Sequence, residues 1–168
     1  HLWIVDPIDG TTNFAHSMAL SGIIIAYCER GVCTFGLIYD PFSEEMFTAW
    51  RGKGAYMNGN KIAVDSITDI RDAVLCTGSP PNLDSLKGCL NAQMALSSQC
   101  RTVRILGSAA INLAWVACGR LSAYFETDMN VWDVAAGILI VSEAGGTIND
   151  ISKYDENNID IRAASSAI

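Results

Sequence analysis

The chain has 168 residues, enough for one substantial core, and its composition, 50% hydrophobic and 17% charged, is that of an ordinary globular domain. A formal net charge of −7 and a pI near 4.6 argue against sequence-independent binding to nucleic acid or to anionic lipid, because both need a basic face, and no Lys/Arg-rich run supplies one. The longest apolar stretches, such as Ile23-Ile24-Ile25-Ala26, are strand-sized and far short of the roughly 20 residues of a membrane helix.

The chain opens on His1-Leu2-Trp3-Ile4-Val5, with neither an initiator Met nor a charged segment before an apolar run. No signal peptide is read here, and an upstream segment is expected to be missing. Trp3-Ile4-Val5 reads as an apolar strand, Asp6-Pro7-Ile8-Asp9 as a proline-stiffened turn after it, and Gly10-Thr11 as the start of a helix. From Gly22 to Trp50 the pattern is a strand meander: Ile23 to Cys28, a turn at Glu29-Arg30-Gly31, Thr34 to Tyr39, a turn at Asp40-Pro41-Phe42-Ser43, then Met46 to Trp50. The Gly- and Asn-rich segment Arg51 to Asn60 predicts consecutive turns, because these residues tolerate positive φ, and a short strand at Lys61 to Val64 follows.

After Asp65 helices begin to alternate with strands. A strand is expected at Ala73 to Thr77, a helix from Asp84 to Ser98, a strand at Thr102 to Leu106, and a helix from Ala109 to Cys118 capped by Ser108 and ended by Gly119. A strand at Leu121 to Glu126 and a helix from near Trp132-Asp133 to Gly145-Gly146 complete the reading. A meander followed by alternation implies two stacked sheets with helices between and outside them, an α/β (α+β layered) arrangement within a single domain over residues 1–168.

Six cysteines (Cys28, Cys33, Cys76, Cys89, Cys100, Cys118) occur without a Cys-x-x-Cys pair, and His1 and His16 are the only histidines, so zinc-type clustering is absent. The thiols are read as buried, reduced and structural, which favours the cytoplasm.

The chemistry concentrates in Asp6-Pro7-Ile8-Asp9-Gly10-Thr11. Two carboxylates flanking a stiff turn point at a common place. With the carbonyl of Ile8 they supply part of the oxygen shell that a hard cation such as Mg²⁺ takes. The amides of Gly10 and Thr11, at a helix N-terminus, are placed to hold phosphate oxygens beside it. The same residue types also make an ordinary turn with an N-cap, and the short string alone does not decide between the two. A second acidic element, Glu126 at the end of a strand and Asp133 at the start of a helix, lies at another strand-to-helix junction, where α/β ligand sites form. As a simple alternative, Asp133 pairs with the helix dipole. Convergence of Asp6, Asp9 and Asp133 would make a two-metal cage.

Two other phosphatase chemistries are excluded by position. The sixth residue after each cysteine is Thr34, Tyr39, Asn82, Ala95, Leu106 or Tyr124, never Arg, so no thiolate loop exists. The place of an aspartyl nucleophile, two residues before Asp9, is held by Pro7. Gly52-x-Gly54 has no Gly-Lys-Ser/Thr ending and is turn chemistry, not a nucleotide loop.

Asp6-Pro7-Ile8-Asp9-Gly10-Thr11-Thr12-Asn13-Phe14 resembles the first signature of the inositol monophosphatase family, and Trp132-Asp133-Val134-Ala135-Ala136-Gly137 resembles its second. Gly107-Ser108-Ala109-Ala110 and Glu126 are similar to the family's substrate-side elements at the family's spacing. The resemblance implies an αβαβα sandwich and magnesium-dependent hydrolysis of a phosphate monoester, most simply inositol 1-phosphate, by metal-activated water. By motif match, Asp6 would bridge two ions, the Ile8 carbonyl would reach one, Asp9 and Asp133 would bind the other, and Thr11 would orient the attacking water. Substrate hydroxyls would meet the backbone of Ser108 and Ala109, the Glu126 carboxylate and Asp133. Members are commonly homodimers inhibited by lithium; the expected partner here is a small-molecule phosphate monoester, and from charge and apolar run length no nucleic acid or membrane is expected.

The departure is upstream. The family carries a metal-ligating Glu, usually in a Gly-Glu-Glu string, before the position of Asp6, and this chain begins after it. The N-terminal helices that cover the first sheet, and a helix after Ser165, are likewise expected to be missing, which would expose one apolar sheet face. Histidinol-phosphate phosphatase is the nearest enzymatic alternative, with nucleotide 3′-phosphatases and sugar bisphosphatases more distant. A non-catalytic binding or regulatory remnant is the alternative from a different class.

Overall fold

The computed structural model describes residues 1–149 and 159–166. The meander is one six-stranded antiparallel sheet: β1 (Leu2–Asp9), β2 (Gly22–Glu29), β3 (Val32–Asp40), β4 (Glu45–Trp50), β5 (Ala55–Met57) and β6 (Asn60–Ile62), neighbours in chain order. Arg30 and Gly31, both at positive φ (52° and 79°), form the tight turn that the twist of β2 and β3 favours. Alternation along β2 buries Gly22, Ile24, Ala26 and Cys28 on one face, as a strand period of two requires. The opposite face carries exposed Trp3, Val5 and Trp50, with aromatic pairs Trp3–Tyr27 at 4.8 Å and Phe35–Trp50 at 4.7 Å.

The second sheet has the spatial order β10 (Thr147–Ile148), β11 (Ile159–Ala164), β9 (Ala123–Met129), β7 (Val74–Thr77), β8 (Thr102–Ile105). β7 runs parallel to both β8 and β9, and β11 is antiparallel to β9. Helices α3 (Ala109–Ala117) and α4 (Val131–Glu143) lie between the sheets. Eight residues of α3 and eight of α4 are buried, as expected of helices covered on most sides. Helix α2 (Leu83–Ser97) packs on β8 and β9, and α1 (Thr11–Ala15) is a short helix after β1. This is the layered α+β arrangement read from the sequence.

Small residues set the spacing of the central layer. A Cβ on Gly36 of β3 would lie 2.9 Å from the Ala136 carbonyl oxygen, and one on Gly137 would lie 2.5 Å from Leu113 Cδ1. Ala135-Ala136-Gly137 therefore lets α4 sit close to both β3 and α3.

The structure departs from the sequence reading in four places. Asp6 to Asp9 is not a turn after β1 but its irregular end, still paired with β2. The segment read as consecutive turns contains β5, a three-residue strand between them. β9 runs on to Met129 instead of ending at Glu126, because β11, an element not read from the sequence, pairs with it from Ala123 to Met129. Cys28 and Cys33 are not reduced but disulfide-bonded, since the hairpin register places them directly opposite each other; Cys76, Cys89, Cys100 and Cys118 are free. Among the described residues no helix is long and apolar enough to cross a membrane.

Candidate active site

Residues three apart on a strand point to opposite faces, so a regular β1 would separate Asp6 from Asp9. The strand is not regular there: Asp6 pairs with Ile24 and Asp9 with Gly22, so three steps on β1 match two on β2. The extra residue falls at Pro7-Ile8, on an edge strand where a residue lacking an N–H is tolerated. Its effect is to turn both carboxylates to one place. The Ile8 N–H donates to Asp6 Oδ1 at 3.0 Å, which fixes the first of them.

Gly10 then turns the chain at φ 77°, and a Cβ there would lie 2.9 Å from the Leu20 carbonyl oxygen and 3.1 Å from Ser108 Cβ. The loop after β1 is thereby pressed against the start of α3. Asn13, buried in α1, clamps it by donating through Nδ2 to the carbonyls of Leu20 (2.8 Å) and Leu106 (2.7 Å). Thr11 begins α1 and is exposed.

Asp9 is 7% exposed, and its Oδ2 accepts from the Ser108 hydroxyl and from the Ala110 N–H at 3.0 Å. Burial pushes its carboxyl up to about 6, the charges of Asp133 and Asp6 add to the rise, and the Ser108 and Ala110 hydrogen bonds oppose it. Asp133 is the third residue of α4, and its Oδ2 accepts from the Asn130 N–H (2.9 Å) and side-chain amide (3.1 Å). Burial raises this carboxyl too; the Asn130 hydrogen bonds oppose the rise and the charge of Asp6 adds to it. Asp133 thus serves the helix cap, as the simple alternative held, and also stands in the acidic cluster.

Ligand oxygens of Asp6, Asp9 and Asp133 all lie within 4.8 Å of one another. Three anionic groups held this close, two of them made harder to ionise, gain most from a cation between them. The donors are all carboxylate oxygens, the set preferred by hard divalent ions such as Mg²⁺ and Ca²⁺ and not by thiolate-seeking metals. The cluster therefore fits the ion expected there.

Glu126 is half-buried on β9 outside this triad, and its carboxyl is raised by burial, opposed by the Tyr124 hydrogen bond, with the charge of Asp133 adding. Ser108 caps α3 and Ala109 is its first residue; both are buried, and the Ser108 hydroxyl is engaged by Asp9. The structure thus brings Asp6, Asp9 and Asp133 together, sets Gly10 and Ser108 against each other, and leaves Thr11 open. A groove of about 730 Å³ between α2 and strands β9 and β11 does not include the three aspartates. Asn13, Tyr124 and Gly78 were not given roles from the sequence. Asn13 carried a signal, a polar residue embedded in the motif, whereas Gly78 and Tyr124 are placed only by strand pairing.

Fold and cluster together define a layered α+β protein whose sheet-and-helix junctions converge on a cluster of carboxylates that could hold a hard cation. The chain belongs to the inositol monophosphatase family, whose model matches residues 1–167. It is 43% identical over 160 residues to a Nus factor SuhB of Xylella fastidiosa, covering 95% of this chain and 58% of that protein. It is 40% identical over 152 residues to an inositol-1-monophosphatase of Mesorhizobium japonicum, covering 90% of this chain and 57% of that one. An inositol monophosphatase structure from Anabaena superposes with a TM-score of 0.90 at 36% identity, covering 99% of this chain and 70% of that one. The chain therefore spans less than two thirds of the length of these curated relatives.

Proposed function

We propose that the protein hydrolyses a phosphate monoester of a polyol, with inositol 1-phosphate the leading substrate, in a magnesium-dependent reaction. The observation that carries this reading is the convergence of Asp6, Asp9 and Asp133 within 4.8 Å, on a chain that belongs to this family. Magnesium, when bound, would supply Lewis-acid charge for the phosphoryl oxygens and the leaving oxygen.

The residues divide the remaining work. Asp6, Asp9, Asp133 and the carbonyl of Ile8 would hold the cation. The amides of Gly10 and Thr11 would bind phosphate oxygens, which the open position of Thr11 allows. The Thr11 hydroxyl would orient the attacking water, and Glu126 would accept hydrogen bonds from substrate hydroxyls, with Asp133 and the backbone of Ser108 and Ala109 completing that side. A polar site of this kind discriminates strongly against analogues that lack the hydroxyls. Lithium sensitivity and a homodimer belong to the same reading, on family grounds.

Phosphate release from inositol 1-phosphate and from histidinol phosphate, each with Mg²⁺ and with EDTA, tests it. Magnesium-dependent release favouring inositol 1-phosphate is the expected result; preference for histidinol phosphate would move the protein to that neighbouring activity. The relatives named Nus factor support a second reading, a binding or regulatory role for the same fold. That reading gains if a folded full gene product releases no phosphate from any of these substrates.

A further inference from the structure

Glu126 occupies a seat shaped for its own carboxylate. The parallel pairing of β7 with β9 runs Leu75 to Ala123, Cys76 to Tyr124 and Thr77 to Phe125, so Gly78 is the next residue to stand beside Glu126. A Cβ on Gly78 would fall on the Glu126 carboxyl carbon and both of its oxygens. The carboxylate fills the space in which any other residue at position 78 would carry its side chain.

Two residues before Glu126, on the same face of β9, Tyr124 is fully buried, and its hydroxyl donates to Glu126 Oε2 at 2.5 Å. A buried tyrosine hydroxyl needs an acceptor and a half-buried carboxylate needs donors, so each group satisfies the other. A carboxylate has about four acceptor positions, and Tyr124 takes one. The rest are left for a ligand.

We propose that Gly78 and Tyr124 are positioning residues for specificity: they lock the Glu126 carboxylate in one place, from which it selects phosphate monoesters whose alcohol carries hydroxyls beside the ester. This rests on the reading of the site as a polyol-phosphate phosphatase. A fixed acceptor discriminates where a mobile one does not, because a displacement of about 1 Å is enough to lose most of a directed contact. Tyr124→Phe removes one hydroxyl and keeps the ring. Gly78→Ala puts a Cβ where the carboxylate sits; the displaced atoms are the end of a flexible side chain, so Glu126 swings away while the fold is kept.

The readout is the ratio of kcat/KM for inositol 1-phosphate to that for phenyl phosphate, which has no hydroxyls, in the full gene product. Tyr124→Phe is expected to lower this ratio about tenfold, through KM for inositol 1-phosphate, which is the scale of one hydrogen bond to a charged group. Gly78→Ala is expected to lower it at least as far; because it also takes the acceptor from the buried Tyr124 hydroxyl, a fall in Tm is expected with it, and that fall scales both substrates together. In a Glu126→Ala background Tyr124→Phe is expected to add nothing. A change in folding alone would scale both substrates together and leave the ratio unmoved. An unchanged ratio in both single variants, or an undiminished Tyr124→Phe effect without Glu126, overturns the inference while leaving the phosphatase reading in place. Absence of turnover and of calorimetric binding of inositol 1-phosphate by the wild type removes the phosphatase reading, and this inference with it.

Discussion

Without a metal, Asp9 is a source of instability at neutral pH. Burial, helped by the charges of Asp133 and Asp6, lifts its carboxyl from 3.8 to about 6 in the folded state. Between those values the folded protein holds a proton that the unfolded chain has released. The stability contribution is fully present below the unfolded value and is lost as pH rises through about 6. At about 1.4 kcal/mol for each tenfold change in proton affinity, the loss approaches about 3 kcal/mol. For a chain of this size that is a fall in Tm of roughly 6–12 °C. The assay is thermal unfolding in EDTA from pH 4.5 to 7.5, wild type against Asp9→Asn, which keeps an acceptor for Ser108 and Ala110 but cannot ionise. The wild type should lose stability relative to the variant as pH rises, and Mg²⁺ at pH 7.5 should restore it in the wild type alone. Parallel pH profiles for the two proteins would refute the reasoning.

Two substitutions probe the scaffold around the site. Gly137→Ala places a Cβ 2.5 Å from Leu113 Cδ1 and 2.6 Å from its Cβ, overpacking the contact of α3 with α4, and should destabilise by about 1–3 kcal/mol in denaturant titration. Asn13→Ala leaves the Leu20 and Leu106 carbonyls without their amide donor; it should cost about 1–3 kcal/mol and weaken Mg²⁺ binding, measured by calorimetry, by loosening the loop that carries Asp9.

Much of this site was legible in the sequence because its chemistry is local. Asp6 and Asp9 flank a proline three residues apart, Asp133 begins a helix, and both elements lie in long motif strings. What the sequence concealed was how two carboxylates of opposite strand parity meet: the extra residue at Pro7-Ile8 appears only in the pairing with β2. The meander was readable from turn residues such as Arg30-Gly31, whereas β5 was hidden because three strand residues between glycine turns carry too little periodicity. β11 shows a clean alternation from Ile159 to Ala164, yet its role in extending β9 past Glu126 depends on a partner distant in the chain. Gly78 and Tyr124 were silent for the same reason, since their meaning lies in a parallel register that no local pattern encodes. The Cys28–Cys33 bond likewise follows from opposition across a hairpin, where composition alone had suggested reduced thiols.

The most direct test of the central claim is phosphate release from inositol 1-phosphate by the full gene product and its Asp133→Asn variant, each with Mg²⁺ and with EDTA. The variant removes one of the three charges within the 4.8 Å cluster and keeps an oxygen that can accept from Asn130 at the start of α4. Release that requires Mg²⁺ and falls by at least about 100-fold in the folded variant, a loss of roughly 2.7 kcal/mol or more from the transition state, is the predicted result. Equal release with Mg²⁺ and with EDTA, or an unimpaired variant, would contradict the assignment of the three aspartates to a catalytic metal site.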